Sequence, residues 1–106
     1  MITYSHAEFA LQFLVDTDED FARAKTLYDH LYETKKTVIG IEYRKLTGSA
    51  SEKQKLAESS EGYQKHLKAL YDAQMELEML KAKRHTHQLT IDMWRSLNSA
   101  QKMGNI

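Results

Sequence analysis

Residues 63–97 read YQKHLKALYDAQMELEMLKAKRHTHQLTIDMWRSL, and neither glycine nor proline interrupts them. Both are the residues that break helices most readily, so the run predicts one long α-helix. Its apolar residues fall on two stripes. One holds Tyr63, Leu67, Leu70, Leu77 and Leu80; the other holds Tyr71, Met75, Met79, Ala82, Leu89, Met93 and Leu97. A helix with apolar stripes on two sides needs two neighbours.

Upstream, Phe21, Ala24, Tyr28, Leu31 and Val38 recur at spacings of three, four and seven, with Lys35 set between the last two. This is a coiled-coil-like seam. A less regular strip of Leu27, Ile39, Tyr43 and Leu46 flanks it. Thr17-Asp18-Glu19-Asp20 reads as the start of that helix, because first-turn carboxylates suit the positive end of the helix dipole. Gly48 reads as its stop, at a position glycine fills without steric cost. Ser5-His6-Ala7-Glu8 and Ser49-Ala50-Ser51-Glu52 match the capping-box pattern. The expected plan is a single domain of 1–106, with a short N-terminal helix in 1–16, a long helix over 17–48, a linker with a short helix over 49–59, and a second long helix over 60–103. The fold class is all-α: a long helical hairpin completed by an oligomeric, coiled-coil-like assembly. Helices of about 30 and 40 residues reach ~45 and ~60 Å at 1.5 Å per residue. A globule of this chain length has a radius of gyration of about 13 Å. The disparity points to partners, first of all to further copies of the same chain. Phe9, Phe13, Leu77, Met79, Leu89, Met93 and Trp94 are the expected interface.

Composition excludes several classes of function. The 15 basic residues balance 15 acidic ones, so no global field draws in nucleic acid or an anionic membrane, and any such binding rests on local clusters. The chain has no cysteine, hence no disulfide, thiolate metal site or cysteine nucleophile. That fits a reducing cytosol. The first 16 residues lack a basic n-region and carry Glu8 within their apolar stretch, so they read as neither signal peptide nor membrane span. A soluble, cytoplasmic protein without membrane contact is the expectation.

Catalysis has little footing. Asp16, Asp18, Glu19 and Asp20 are explained as helix-start residues, and neither a phosphate loop nor a nucleophile motif occurs. His85 and His87 point about 200° apart on a helix, while His6, His30 and His66 are scattered. Zinc sites on helices use ligands three or four residues apart, so no metal is expected. No catalytic residue and no cofactor is assigned.

The basic residues carry the functional reading. Lys35, Lys36, Arg44 and Lys45 gather toward the end of the second helix; Lys81, Lys83 and Arg84 form the densest basic stretch; Lys65 and Lys68 sit early in the last helix. Such groups pair with phosphates, and Tyr43, Tyr63 and Trp94 offer faces on which single-stranded bases stack. A hairpin turning between Gly48 and Gly62 would match positions whose numbers total about 110. Lys81 would then lie near Asp29, Arg84 near Thr26 and Arg95 near Asp16, which neutralises much of the later cluster. Arg44 and Lys45, with Lys53 and Lys55 in the linker, have fewer acids nearby and are the favoured phosphate surface.

Three segments carry a resemblance: Tyr28-Asp29-His30-Leu31-Tyr32-Glu33-Thr34-Lys35-Lys36, the helix ending Glu42-Tyr43-Arg44-Lys45-Leu46-Thr47-Gly48, and a later helix with Leu80-Lys81-Ala82-Lys83-Arg84 and Ile91-Asp92-Met93-Trp94-Arg95. Over about residues 20–100 the pattern resembles the UvsY-type recombination mediators of T-even phages. The resemblance implies an all-helical, ring-forming homo-oligomer that binds single-stranded DNA. It further implies loading of a RecA-like recombinase against a single-strand-binding protein, in the host cytoplasm. Gly40 and Glu42 stand where that family carries basic residues, so Arg44 and Lys45 would take over the contact. The alternative is a helical protein–protein module, such as a phage adaptor or an inhibitor of a host complex, without nucleic-acid binding. A virion assembly factor is a third reading, and an enzyme the last.

Overall fold

The first helix begins where Thr3 and His6 cap each other. The Thr3 hydroxyl accepts from the His6 amide at 3.3 Å, and His6 Nδ1 accepts from the Thr3 amide at 3.0 Å. This is a reciprocal box with histidine in place of glutamate, two residues before the expected Ser5 start. The computed structural model describes residues 1–104. They form four helices, α1 (Tyr4–Glu33), α2 (Lys35–Arg44), α3 (Ala50–Glu58) and α4 (Glu61–Gly104), with no strand among the described residues. The chain is all-α, and no helix is long and apolar enough to cross a membrane.

The expected boundary at residues 16–17 is absent: α1 runs straight through it. Its first turn is elsewhere, so Thr17 has no free amides to cap. The Thr17 hydroxyl instead donates to the Phe13 carbonyl one turn back, at 2.8 Å. Asp16 accepts from Gln12 at 2.7 Å, again within one turn. Side chains that favour caps in isolation are here satisfied inside a helix. The long second helix expected to Gly48 is likewise divided, at Thr34 and after Arg44. Gly48 does not cap α2. It carries φ = 122° in the connection to α3, a conformation that L side chains rarely adopt. Ser49 then caps α3 as expected, its hydroxyl accepting from the Glu52 amide at 3.2 Å. Ser60 starts α4 by accepting from the Tyr63 amide at 3.2 Å.

Contacts group the residues into two compact units. The first joins Met1–Ala22 to the chain from Glu78 onward. Here α1 and α4 run antiparallel, with Tyr4 against Trp94 and Phe13 against His87, ring centroids 5.6 and 4.2 Å apart. Ala7, Ala10 and Ile91 are buried between them. Alanines on the facing side leave little to hold the backbones apart. The pairing is about ten residues out of the expected register, because α1 and α4 are not joined by a simple turn. Arg84 consequently meets the 14–18 region and not Thr26. Its guanidinium donates to the Leu14 carbonyl (2.9 Å), the Thr17 hydroxyl (2.7 Å) and the Asp18 carboxylate (2.7 Å), with Phe21 beneath it at 5.1 Å.

The second unit, Arg23–Leu77, contains the rest of α1, all of α2 and α3, and the start of α4. Its buried residues are Ala57, Leu70, Ala73 and Leu77. At Gly62 an added Cβ would crowd the Glu42 carboxylate of α2, which would have to move aside.

Arg84→Ala is expected to lower stability by about 2 kcal/mol, since it removes charge-assisted bonds to two groups on α1, while the exposed Asp18 pair adds little. Lys83→Ala, beside it on the exposed side, is expected to change stability by less than about 0.5 kcal/mol. Urea unfolding followed by circular dichroism measures both.

Candidate nucleic-acid interface

The expected single-strand contacts divide by what their side chains already hold. Arg84 is withdrawn from the set: its side chain is 20% exposed and engaged with α1. Lys81 reaches Glu78 at 3.6 Å, Lys65 reaches Glu61 at 3.0 Å, and Lys45 reaches Glu42 at 3.2 Å, each within its own helix. These exposed pairs are weak. They still lower the net charge of the places where the sequence suggests a basic patch. Lys36, Arg44, Lys68 and Lys83 are exposed and make no ion pair among the described residues.

In the second unit, three of the residues on α2 line up. Lys36, Gly40 and Arg44 follow one another at intervals of four, on a single face of the helix. Nothing lies within 4 Å of where a Gly40 Cβ would stand, so the helix surface between the two cations is open. Lys36 and Arg44 are about 12 Å apart along the axis at 1.5 Å per residue. Tyr43 is only partly exposed, with the Lys53 ammonium 4.5 Å over its ring.

The exposed ring near this row is Tyr32, which sequence reasoning passed over as a stacking face. It stands at the end of α1, with the Lys35 ammonium 5.1 Å from its centroid and the Tyr28 ring 6.1 Å away. Tyr32, Glu33, Lys35 and Lys36 line a recess of about 290 Å³. The recess owes its form to the break at Thr34. There the Thr34 hydroxyl donates to the His30 carbonyl (2.7 Å), and His66 Nε2 lies 2.7 Å from the Leu31 carbonyl. A carbonyl only accepts, so Nε2 carries the proton. A side chain from α4 thus enters the hydrogen-bond ladder and turns α1 into α2, a recognised origin of helix kinks. No spacing rule in the sequence links His66 to Leu31; the signal lies only in three dimensions.

The expected interface residues also divide. Leu77 is 2% exposed, Phe13 packs on His87 and Trp94 on Tyr4, so all three are spent on internal packing. Phe9 (67% exposed), Met79, Leu89 and Met93 remain on the surface. His87 serves as an aromatic neighbour for Phe9 and Phe13. Among the described residues no three of His, Asp and Glu gather as a metal site. Comparison with family models, curated proteins and solved structures finds no match.

His66→Ala would leave the Leu31 carbonyl only the long 3.4 Å contact from the Thr34 hydroxyl and water. The expected loss is about 1 kcal/mol, with faster amide exchange confined to the residues following Thr34.

Proposed function

We propose that this chain is a phage-type recombination or replication accessory protein that self-assembles, holds single-stranded DNA and helps load a recombinase. The observation that carries the reading is the exposed pair Lys36 and Arg44, on one face of α2 with Gly40 between them, beside the exposed Tyr32 ring. Cations along an open helix face take phosphates, and an aromatic face takes a base of any sequence. Lys35 and Lys36 beside Tyr32 provide both within one recess. A patch with so few cations binds weakly. Several copies in one assembly raise its avidity without any new contact. The exposed apolar residues Met79, Leu89 and Met93 support such an assembly, in a coiled-coil-like arrangement. The partners are then further copies of the chain, single-stranded DNA, and the recombinase and single-strand-binding protein implied by the resemblance. The protein acts as a binder in the host cytoplasm, without a chemical step, a metal or a cofactor.

The second reading, a helical protein-interaction module without nucleic-acid binding, draws on the same apolar residues together with Leu11 and Val15, exposed on α1. An amphipathic face of this kind fits a helix or groove on another protein. Light scattering combined with a labelled oligonucleotide titration at two salt concentrations separates the readings. An oligomer without affinity for the oligonucleotide favours the module.

Lys36→Ala/Arg44→Ala is expected to weaken oligonucleotide binding irrespective of sequence. Each phosphate contact on a single strand contributes about 0.7 to the log–log salt slope, so the double variant flattens the slope by about 1.4. Lys45→Ala should do less, its ammonium being shared with Glu42. Parental affinity and slope in the double variant would refute this placement of the contact.

A further inference from the structure

In the first unit, α4 has two opposed faces. Residues seven apart, Arg84 and Ile91, look toward α1 and are partly or wholly covered. On the other side Met79, Ala82, Thr86, Leu89 and Met93 follow at spacings of three, four, three and four, all exposed. That alternation is the a and d pattern of a left-handed coiled coil, with Met79, Thr86 and Met93 at a and Ala82 and Leu89 at d. Thr86 fits an apolar seam because its hydroxyl is already bound to the Ala82 carbonyl at 3.1 Å. The Thr90 hydroxyl beside the seam likewise returns to the Thr86 carbonyl at 3.1 Å. Ala82 and Thr86, small and adjacent along the seam, admit a second helix closely.

Flanking charges choose the occupant. Glu78 stands at a g position and Lys83 at the e position that follows. In a parallel, in-register pair of coiled coils, g meets the e five residues on in the other helix, so Glu78 would face Lys83 of the second copy, twice over. Both side chains are available. Lys83 has no ion pair among the described residues, and Glu78 has only a 3.6 Å contact to Lys81 on an exposed surface. The antiparallel alternative that aligns Met79 with Leu89 sets Lys83 against its own copy and Glu78 against Asp92. Like charges meet at both places. Because α1 lies on the far side of α4 in this unit, it leaves the seam open to a second chain.

We infer that α4 pairs with α4 of a second copy of this chain, parallel and in register, through Met79, Ala82, Thr86, Leu89 and Met93, with Glu78 and Lys83 setting the direction. The inference deepens the assembly half of the function proposed above and does not depend on nucleic acid. The chain has no cysteine, so Met93→Cys introduces a single thiol. In the parallel pair the two thiols meet across the seam, whereas the antiparallel register leaves them about 27 Å apart at 1.5 Å per residue.

The test uses the full chain without DNA. Sedimentation should give an even-numbered assembly, and oxidation of Met93→Cys should give a covalent dimer. Glu78→Lys and Lys83→Glu should each weaken association roughly tenfold, equivalent to about 1.4 kcal/mol, and the double exchange should restore it. Leu89→Asp should dissociate the assembly while leaving the helical circular dichroism unchanged, since Leu89 is exposed in the single chain. A monomer at high concentration, an assembly unaffected by Leu89→Asp, or an assembly in which the thiols introduced by Met93→Cys do not couple overturns the inference. A monomer that still binds oligonucleotide would sink the seam alone; an assembled chain without oligonucleotide binding would sink only the DNA reading.

Discussion

One helix of this protein carries more apolar surface than its own chain covers, and much of the structure follows from that excess. Along the first unit, α4 turns one side toward α1, where alanines and Ile91 are buried, and keeps methionines and Leu89 on the opposite side. Burial of apolar area is the main favourable term in folding. Area left in water is therefore area on which a further molecule gains. Scattered exposed apolar residues are ordinary on soluble proteins. What distinguishes these is their regular spacing on one face, which matches the geometry of another helix.

The thin core makes polar contacts matter more than they would in a larger globule. Arg84 ties α1 to α4 through a backbone carbonyl, a hydroxyl and a carboxylate at once. Its planar fork suits this role better than a lysine ammonium, while Lys83, one residue earlier, points to another side of α4 and stays in solvent. His66 acts in a similar way in the second unit, where it occupies the Leu31 carbonyl and bends the chain at Thr34. The break exposes Tyr32 next to Lys35 and Lys36. A detail of backbone hydrogen bonding thus arranges the residues on which the proposed nucleic-acid contact rests.

Charge alone is a poor guide to such a surface. Lysines that look clustered along the sequence lie within three or four residues of glutamates on the same helix, as Lys45, Lys65 and Lys81 do. Among the cations left over, Lys36 and Arg44 belong to the group the sequence gathers toward the end of the second helix, eight residues apart. Helical periodicity brings them onto one face, and Gly40 keeps the space between them clear.

Sequence by itself determined the helical class, the α3 cap at Ser49 and the two-sided character of α4. Each of these depends on residues within one or two turns, where propensity, capping and periodicity act directly. Only the tertiary structure decided that α1 passes through the acidic residues 16–20, that Thr34 divides α1 from α2, that Arg84 is engaged with α1 and that Leu77 is buried. Those outcomes turn on the register between α1 and α4, fixed by contacts between residues some 35 to 70 positions apart. A shift of a few turns preserves the local pattern of each helix while exchanging every partner across them, and local pattern is all that a single sequence displays.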